Sequence, residues 1–261
     1  MEIIKGGVTA AKGFTASGMH VGLRRNVEKK DIALVYSDTM CNAAAVFTQN
    51  KIKANPIYVT SKHIQDGKAQ AIIINSANAN TFNGKEGLEH AFRMADATAE
   101  VLNLKPEDVL VASTGVIGFT LPMDIIESGI GMLKDSISDS RESAIDAATA
   151  ILTTDTHKKE IAYEFEIGGK VAHIGAMCKG SGMIHPNMGT MLGFITTDVA
   201  IEQPLLQKAL RATIEDTFNM VSVDGDTSTN DTVLVMANGL AENELISEVS
   251  TICTICGIEW I

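Results

Sequence analysis

Short apolar runs punctuate the first half of the chain, over residues 32–36, 43–48, 57–60, 71–75 and 109–113. Their length and β-branched content predict buried strands. Residues 87–102 carry Leu88, Phe92, Ala95 and Ala99 at helical spacing, with Asn103 and then Pro106 beyond, which predicts an amphipathic helix and its C-terminal stop. Two further helices are expected over residues 122–133 and 140–152, the second with Ser140 as N-cap. Residues 161–167 and 170–177 alternate apolar and polar positions around Gly168-Gly169, a hairpin whose turn residues tolerate positive φ. Residues 204–220 read as a helix with Leu205, Leu206, Ala209, Leu210, Thr213 and Ile214 inward, and residues 232–237 as a last strand. Strands and helices are interleaved, but the hairpin breaks any pure β-α-β alternation. The expected class is mixed α/β (α+β), with helices covering sheets.

At 261 residues the chain is long enough to bury a large core. A net charge of −11 argues against nucleic acid as a partner, and no apolar run approaches the length of a membrane span. The first residues lack a basic stretch followed by an apolar core, so no secretory signal is read and a cytoplasmic location is expected. Four cysteines in that compartment do not suggest a disulfide framework. Cys253 and Cys256 have C-x-x-C spacing, but with no second pair and no nearby histidine a zinc site is not expected; no metal is assigned. Residues 224–230 place oxygen-bearing side chains at alternate positions. Thr229 stands where a calcium loop needs glycine and Val235 where it needs glutamate, so an EF-hand is rejected.

The chemistry concentrates at one junction. Lys179-Gly180-Ser181-Gly182-Met183-Ile184-His185-Pro186-Asn187-Met188-Gly189-Thr190 is a small-residue loop that runs straight into the apolar stretch beginning at Met191. Gly189 has backbone freedom, and Thr190 carries a hydroxyl. Cutting the bond between them would give Thr190 a free α-amine, a base on the nucleophile's own residue. The plainer alternative is a loop entering a strand, with Thr190 as an ordinary β-branched residue. His185 beside Pro186 reads as part of a structured loop rather than as a catalytic partner.

This stretch closely resembles the self-cleavage region of the ornithine acetyltransferase family, the bifunctional glutamate N-acetyltransferases of arginine biosynthesis. Four more segments resemble the family in the same order, over roughly residues 1–242. They are Cys41-Asn42-Ala43-Ala44-Ala45-Val46-Phe47-Thr48-Gln49-Asn50, Ile74-Asn75-Ser76-Ala77-Asn78-Ala79-Asn80, Val111-Ala112-Ser113-Thr114-Gly115-Val116-Ile117-Gly118 and Ser222-Val223-Asp224-Gly225-Asp226-Thr227-Ser228-Thr229-Asn230-Asp231-Thr232.

The resemblance implies a layered α/β/β/α sandwich. It implies scission at Gly189-Thr190, giving an N-terminal portion, residues 1–189, and a second portion from residue 190 onward, residues 190–261 here. It assigns Thr190 as catalytic nucleophile, Thr114 and Gly115 as oxyanion donors, and Lys179 as partner of the amino-acid substrate. Within Thr153-Thr154-Asp155-Thr156 it implies a substrate-binding threonine; spacing favours Thr153, with Thr154 close behind. The implied reaction moves an acetyl group from N-acetylornithine to glutamate through an acetyl-threonine. No cofactor is implied, though acetyl-CoA is a possible second donor. The two fragments would assemble with each other as a heterotetramer. Gly189 replaces the family's usual alanine. Beyond about Asn243 the sequence departs from the family, whose members continue further, so the chain is expected to be truncated. On that expectation an incomplete site is one alternative, with residues 232–237 left exposed; a related self-processing amidohydrolase is another.

Overall fold

The computed structural model describes residues 1–183 and 191–248. One strand of 16 residues, β3 (Ile32–Phe47), joins the two halves of the molecule. Before it come β1 (Glu2–Ile4) and β2 (Phe14–Met19). After it follow α1 (Asn55–His63), β4 (Lys68–Asn75), α2 (Gly84–Leu102), β5 (Val109–Ser113), α3 (Met123–Ser136), α4 (Arg141–Ala150) and β6 (Lys159–Ile167). Then come β7 (Lys170–Lys179), β8 (Leu192–Thr197), α5 (Gln203–Asp216) and β9 (Thr232–Ala237). The hydrogen-bonded order is β1-β6-β7-β8-β9-β3-β4-β5, with β2 also on β3; β4/β5 and β8/β9 are parallel and the other pairs antiparallel.

The first half of β3 pairs with β2 and β4, and its second half pairs with β9. Register shifts between Tyr36 and Cys41, where the exposed Asp38, Thr39 and Met40 interrupt the ladder. Side chains then sort by strand alternation into three layers of core. Ala33, Val35, Ile72, Ile74 and Leu110 share a central core with Met177, Phe194, Leu234 and Met236 from the other half of the sheet. Ile32, Leu34, Ala71, Ile73 and Val109 face outward onto α1, α2 and α3. Val233, Val235 and Ala237 face outward the other way, under Leu206, Leu210 and Ile214 of α5. The result is the expected α/β/β/α layering, made from one continuous sheet folded over its own inner face.

Most predicted elements are present. Ser140 caps α4, its hydroxyl accepting from the Ser143 N–H. Gly168 and Gly169 turn the β6–β7 hairpin with φ of 56° and 72°.

Four expectations need correction. Residues 57–60 form part of α1, not a strand: Pro56 presets the first helical turn. Thr60 and His63 of that helix then bond the backbone of β5, the Thr60 hydroxyl meeting both Val111 N and Val111 O. Residues 32–36 and 43–47 belong to a single bulged strand, and Thr48 lies just past its end. Ala209 and Thr213 are exposed on α5, whose buried stripe is Leu206, Leu210 and Ile214. Residues 232–237 are not an exposed edge: β9 lies between β8 and β3, and all six residues are buried.

Candidate active site

The ends of β4, β5 and β7 and the loop that leads into β9 meet around one cavity of about 620 Å³. Four of the residues expected in the site, Thr114, Gly115, Thr153 and Lys179, line it together. They come from three separate parts of the chain, so it is the sheet order that assembles them.

Thr114 follows the last residue of β5. Its N–H donates to Asn75 O at 2.9 Å, while Val116 N donates to Ala77 O and Ala79 N to Val116 O. This lattice fixes the loop and leaves the Thr114 hydroxyl and the Gly115 N–H uncommitted by those bonds, at the cavity wall. Gly115 has φ of +128°, and a Cβ built there would lie 2.3 Å from the carbonyl carbon of Ala77. Only glycine fits. Asn230 holds the loop from the far half of the sheet, its amide donating to Ala79 O at 2.6 Å and to Ser113 O at 2.8 Å.

Lys179 ends β7 and is only 3% exposed. Its ammonium donates to the Thr153 hydroxyl at 3.2 Å. Thr154 also lines the cavity, but its hydroxyl meets that of Ser181 at 2.6 Å. Burial lowers the Lys179 pKa; the carboxylates of Asp155 and Asp231 oppose the shift, and the cations Lys159 and Arg24 add to it. Asp155 is itself desolvated. Hydrogen bonds from Lys159 Nζ at 2.6 Å and from Gly180 N at 2.8 Å nonetheless hold its carboxyl below the usual range.

Gly189 and Thr190, the expected cleavage pair, lie outside the described residues, as do His185, Cys253 and Cys256. Their chain neighbours are well placed. Met183, before the segment, lines the cavity. Met191, directly after Thr190, donates its N–H to Asp231 Oδ1 at 2.9 Å and accepts from Thr232 N at 3.0 Å. The next residue, Leu192, pairs with Lys179 on one side and Thr232 on the other.

Three contributors were not singled out from sequence. Arg24 lines the cavity, and its Nη2 bonds Ser76 Oγ at 2.7 Å and the carbonyls of Ser76 and Leu152. Asp155 ties the Thr153 segment to Gly180. Asp231 sits at the entry to β9, directly after the alternating oxygen residues 224–230 already weighed as a calcium loop. Among the described residues no group of three or more His, Cys, Asp and Glu side chains could hold a metal ion, and no helix is long and apolar enough to cross a membrane.

The model of the ArgJ family matches residues 15–256. The chain belongs to the ArgJ family. It is 51% identical over 248 residues to the arginine biosynthesis bifunctional protein ArgJ of Caldanaerobacter subterraneus, an alignment covering 95% of this chain and 60% of that ArgJ protein. The chain thus spans about three fifths of the length of that curated relative. Similar solved structures include the following two. ArgJ from Bacillus halodurans is 43% identical with a TM-score of 0.69, the match covering 71% of this chain and 96% of that one. The ornithine acetyltransferase of Mycobacterium tuberculosis, complexed with ornithine, is 31% identical with a TM-score of 0.65, covering 71% and 97%.

Proposed function

We propose that this ArgJ-family chain carries out acetyl transfer from N-acetylornithine to glutamate through an acetyl ester on Thr190. The observation that carries the reading is the convergence of Thr114, Gly115, Thr153 and Lys179 on one cavity, at the sheet end where β8 begins two residues after Thr190. Thr190 Oγ attacks the acetyl carbonyl, with its own α-amine as base, since an unperturbed α-amine titrates near neutrality. The Thr114 hydroxyl and Gly115 N–H receive the developing oxyanion. Ornithine leaves, glutamate enters, and the ester passes its acetyl group to the new amine in a ping-pong cycle. Lys179 and Thr153 hold the substrate carboxylate, and a bound carboxylate would return the Lys179 pKa toward its usual range. Acetyl-CoA is a possible alternative donor, and no cofactor is needed.

This chemistry requires scission at Gly189-Thr190. The lengths of the relatives support it: the solved ArgJ chain is almost wholly covered by part of this one, whereas the curated ArgJ protein is considerably longer than this one. Residues 1–189 and the portion that begins at Thr190 are then the two products, which stay paired through β7/β8 and assemble as a heterotetramer in the cytoplasm. Intact-mass analysis tests the claim. Two fragments breaking at Gly189-Thr190 are expected, and Thr190→Ala should give one uncut chain; a cut Thr190→Ala chain would remove Thr190 from the mechanism. A hydrolase of related chemistry would pass the acyl group to water instead, and the ArgJ-family match favours transfer.

A further inference from the structure

The cavity wall is cationic in an acidic chain. Net charge is −11, yet Arg24, Arg25 and Lys179 line the cavity, and among the described residues no aspartate or glutamate does. Lys179 is buried and Arg24 half-buried, and neither forms an ion pair among the described residues. The nearby carboxylates are engaged elsewhere: Asp155 by Lys159 and Gly180, Asp231 by the Met191 N–H, Asp31 by two backbone amides. Cations are seldom buried unless something pairs them. The cavity therefore suits an anionic ligand, and two separate cations suit two separate negative groups.

Arg24 is fixed in the wall. Its Nη2 bonds Ser76 O, Ser76 Oγ and Leu152 O. Nη1 has no partner among the described residues and is the donor left for a ligand. Asp31, fully buried, accepts Val21 N at 2.8 Å and Arg24 N at 3.1 Å, and its carbonyl accepts Ser76 N at 2.9 Å. One residue thus positions both Arg24 and the serine it bonds. A guanidinium held this way loses little freedom when a carboxylate arrives. Burial lowers the Arg24 pKa and the Asp31 charge opposes the shift, but an arginine keeps its charge.

The spacing matches a short dicarboxylate. Arg24 Nη2 bonds the carbonyl of Leu152, and Lys179 Nζ bonds the hydroxyl of the next residue, Thr153. Partners on consecutive residues keep the two cationic nitrogens within about 11 Å of each other. An extended glutamate sets its two carboxylate carbons about 5 Å apart, and with a hydrogen bond at each end it bridges a similar distance.

We propose that Arg24 receives the side-chain carboxylate of the acceptor glutamate while Lys179 holds its α-carboxylate, so that Arg24 selects a dicarboxylic amino acid. This rests on the reading of the cavity as the acetyl-transfer site. Two negative groups also relieve the repulsion between the two cations, which contributes to the lowered Lys179 pKa. Ornithine carries an ammonium at the end of its side chain and gains nothing from a guanidinium. Arg24 therefore favours the acceptor over the departing product.

The test assays processed protein with N-acetylornithine and either glutamate or glutamine, the neutral isostere that keeps the α-carboxylate. Wild type should favour glutamate, and in Arg24→Gln the ratio of kcat/KM between the two acceptors should fall at least about tenfold. Arg24→Lys should recover part of the ratio. Arg25→Gln, which removes a charge from the exposed neighbour, should lower it less than Arg24→Gln does. KM for N-acetylornithine should rise less than KM for glutamate. A purely structural role would slow both acceptors alike, so an unchanged ratio in Arg24→Gln, or an equal fall in Arg25→Gln, overturns the proposal and leaves acetyl transfer in place. Absence of transfer by wild type overturns the reading of the site instead. In that case, or if Arg24→Gln does not fold, calorimetry on wild-type protein decides for Arg24. Glutarate should bind at least about tenfold more tightly than its monoamide, and equal affinities would contradict a second carboxylate subsite.

Discussion

The Lys179 ammonium donates to the Thr153 hydroxyl at 3.2 Å, across 26 residues of sequence. Thr153 is thereby the threonine bonded to the buried cation, while the Thr154 hydroxyl meets that of Ser181. Replacing the ammonium while keeping the stem, Lys179→Met, should raise KM for the amino-acid substrates at least about tenfold, the loss expected for one charge-assisted hydrogen bond. The change in kcat should be smaller. Steady-state kinetics on processed protein check this, and an unchanged KM would remove Lys179 as the carboxylate partner.

Thr114 and Gly115 should respond differently to substitution. If Thr114 is the oxyanion donor proposed above, Thr114→Ala removes it and leaves the loop lattice intact, so turnover should fall about 100- to 1,000-fold with an unchanged melting curve. Gly115→Ala forces a Cβ to 2.3 Å from the Ala77 carbonyl carbon at φ +128°, so it should lower stability and turnover together. Thermal melts beside single-turnover assays separate the two cases. Equal melting points for both variants would contradict the tight fit at Gly115.

The Asp231 carboxyl titrates at about 7 in the fold against an ordinary value of 3.8. The native state therefore binds the proton more tightly than the unfolded chain. The stability linked to that proton is fully present below the ordinary value and is lost as pH rises toward 7. Urea melts of wild type and Asp231→Asn across this window should show wild type losing stability relative to the variant as pH rises, with little further change above about pH 8. A pH-independent difference would mean that Asp231 ionises as an exposed carboxylate does.

Much of the layering was legible because alternation and helical spacing survive burial. The β6–β7 hairpin and α2 follow their patterns closely. The error at residues 57–60 came from a short apolar run, Ile57-Tyr58-Val59-Thr60, whose β-branched content suits either element. Pro56 and the docking of Thr60 and His63 onto β5 decided it. The exposed Asp38-Thr39-Met40 stretch divided one strand into two on paper, because a bulge looks like a turn when its partner strands are unknown. In the site, Thr114, Gly115, Thr153 and Lys179 were found through the family resemblance, and the sheet order then accounts for their meeting. Asp231 stayed hidden because it reaches the site through a hydrogen bond from Met191, 40 residues away in sequence and set by the parallel β8/β9 register.

The central claim is the covalent acetyl group on Thr190. Processed protein should be mixed with N-acetylornithine without an acceptor, quenched in acid, digested and mapped by mass. The account predicts one acetyl group on the hydroxyl of the peptide that begins at Thr190, lost again when glutamate is added before the quench. An unmodified Thr190 peptide alongside normal transfer to glutamate would contradict it.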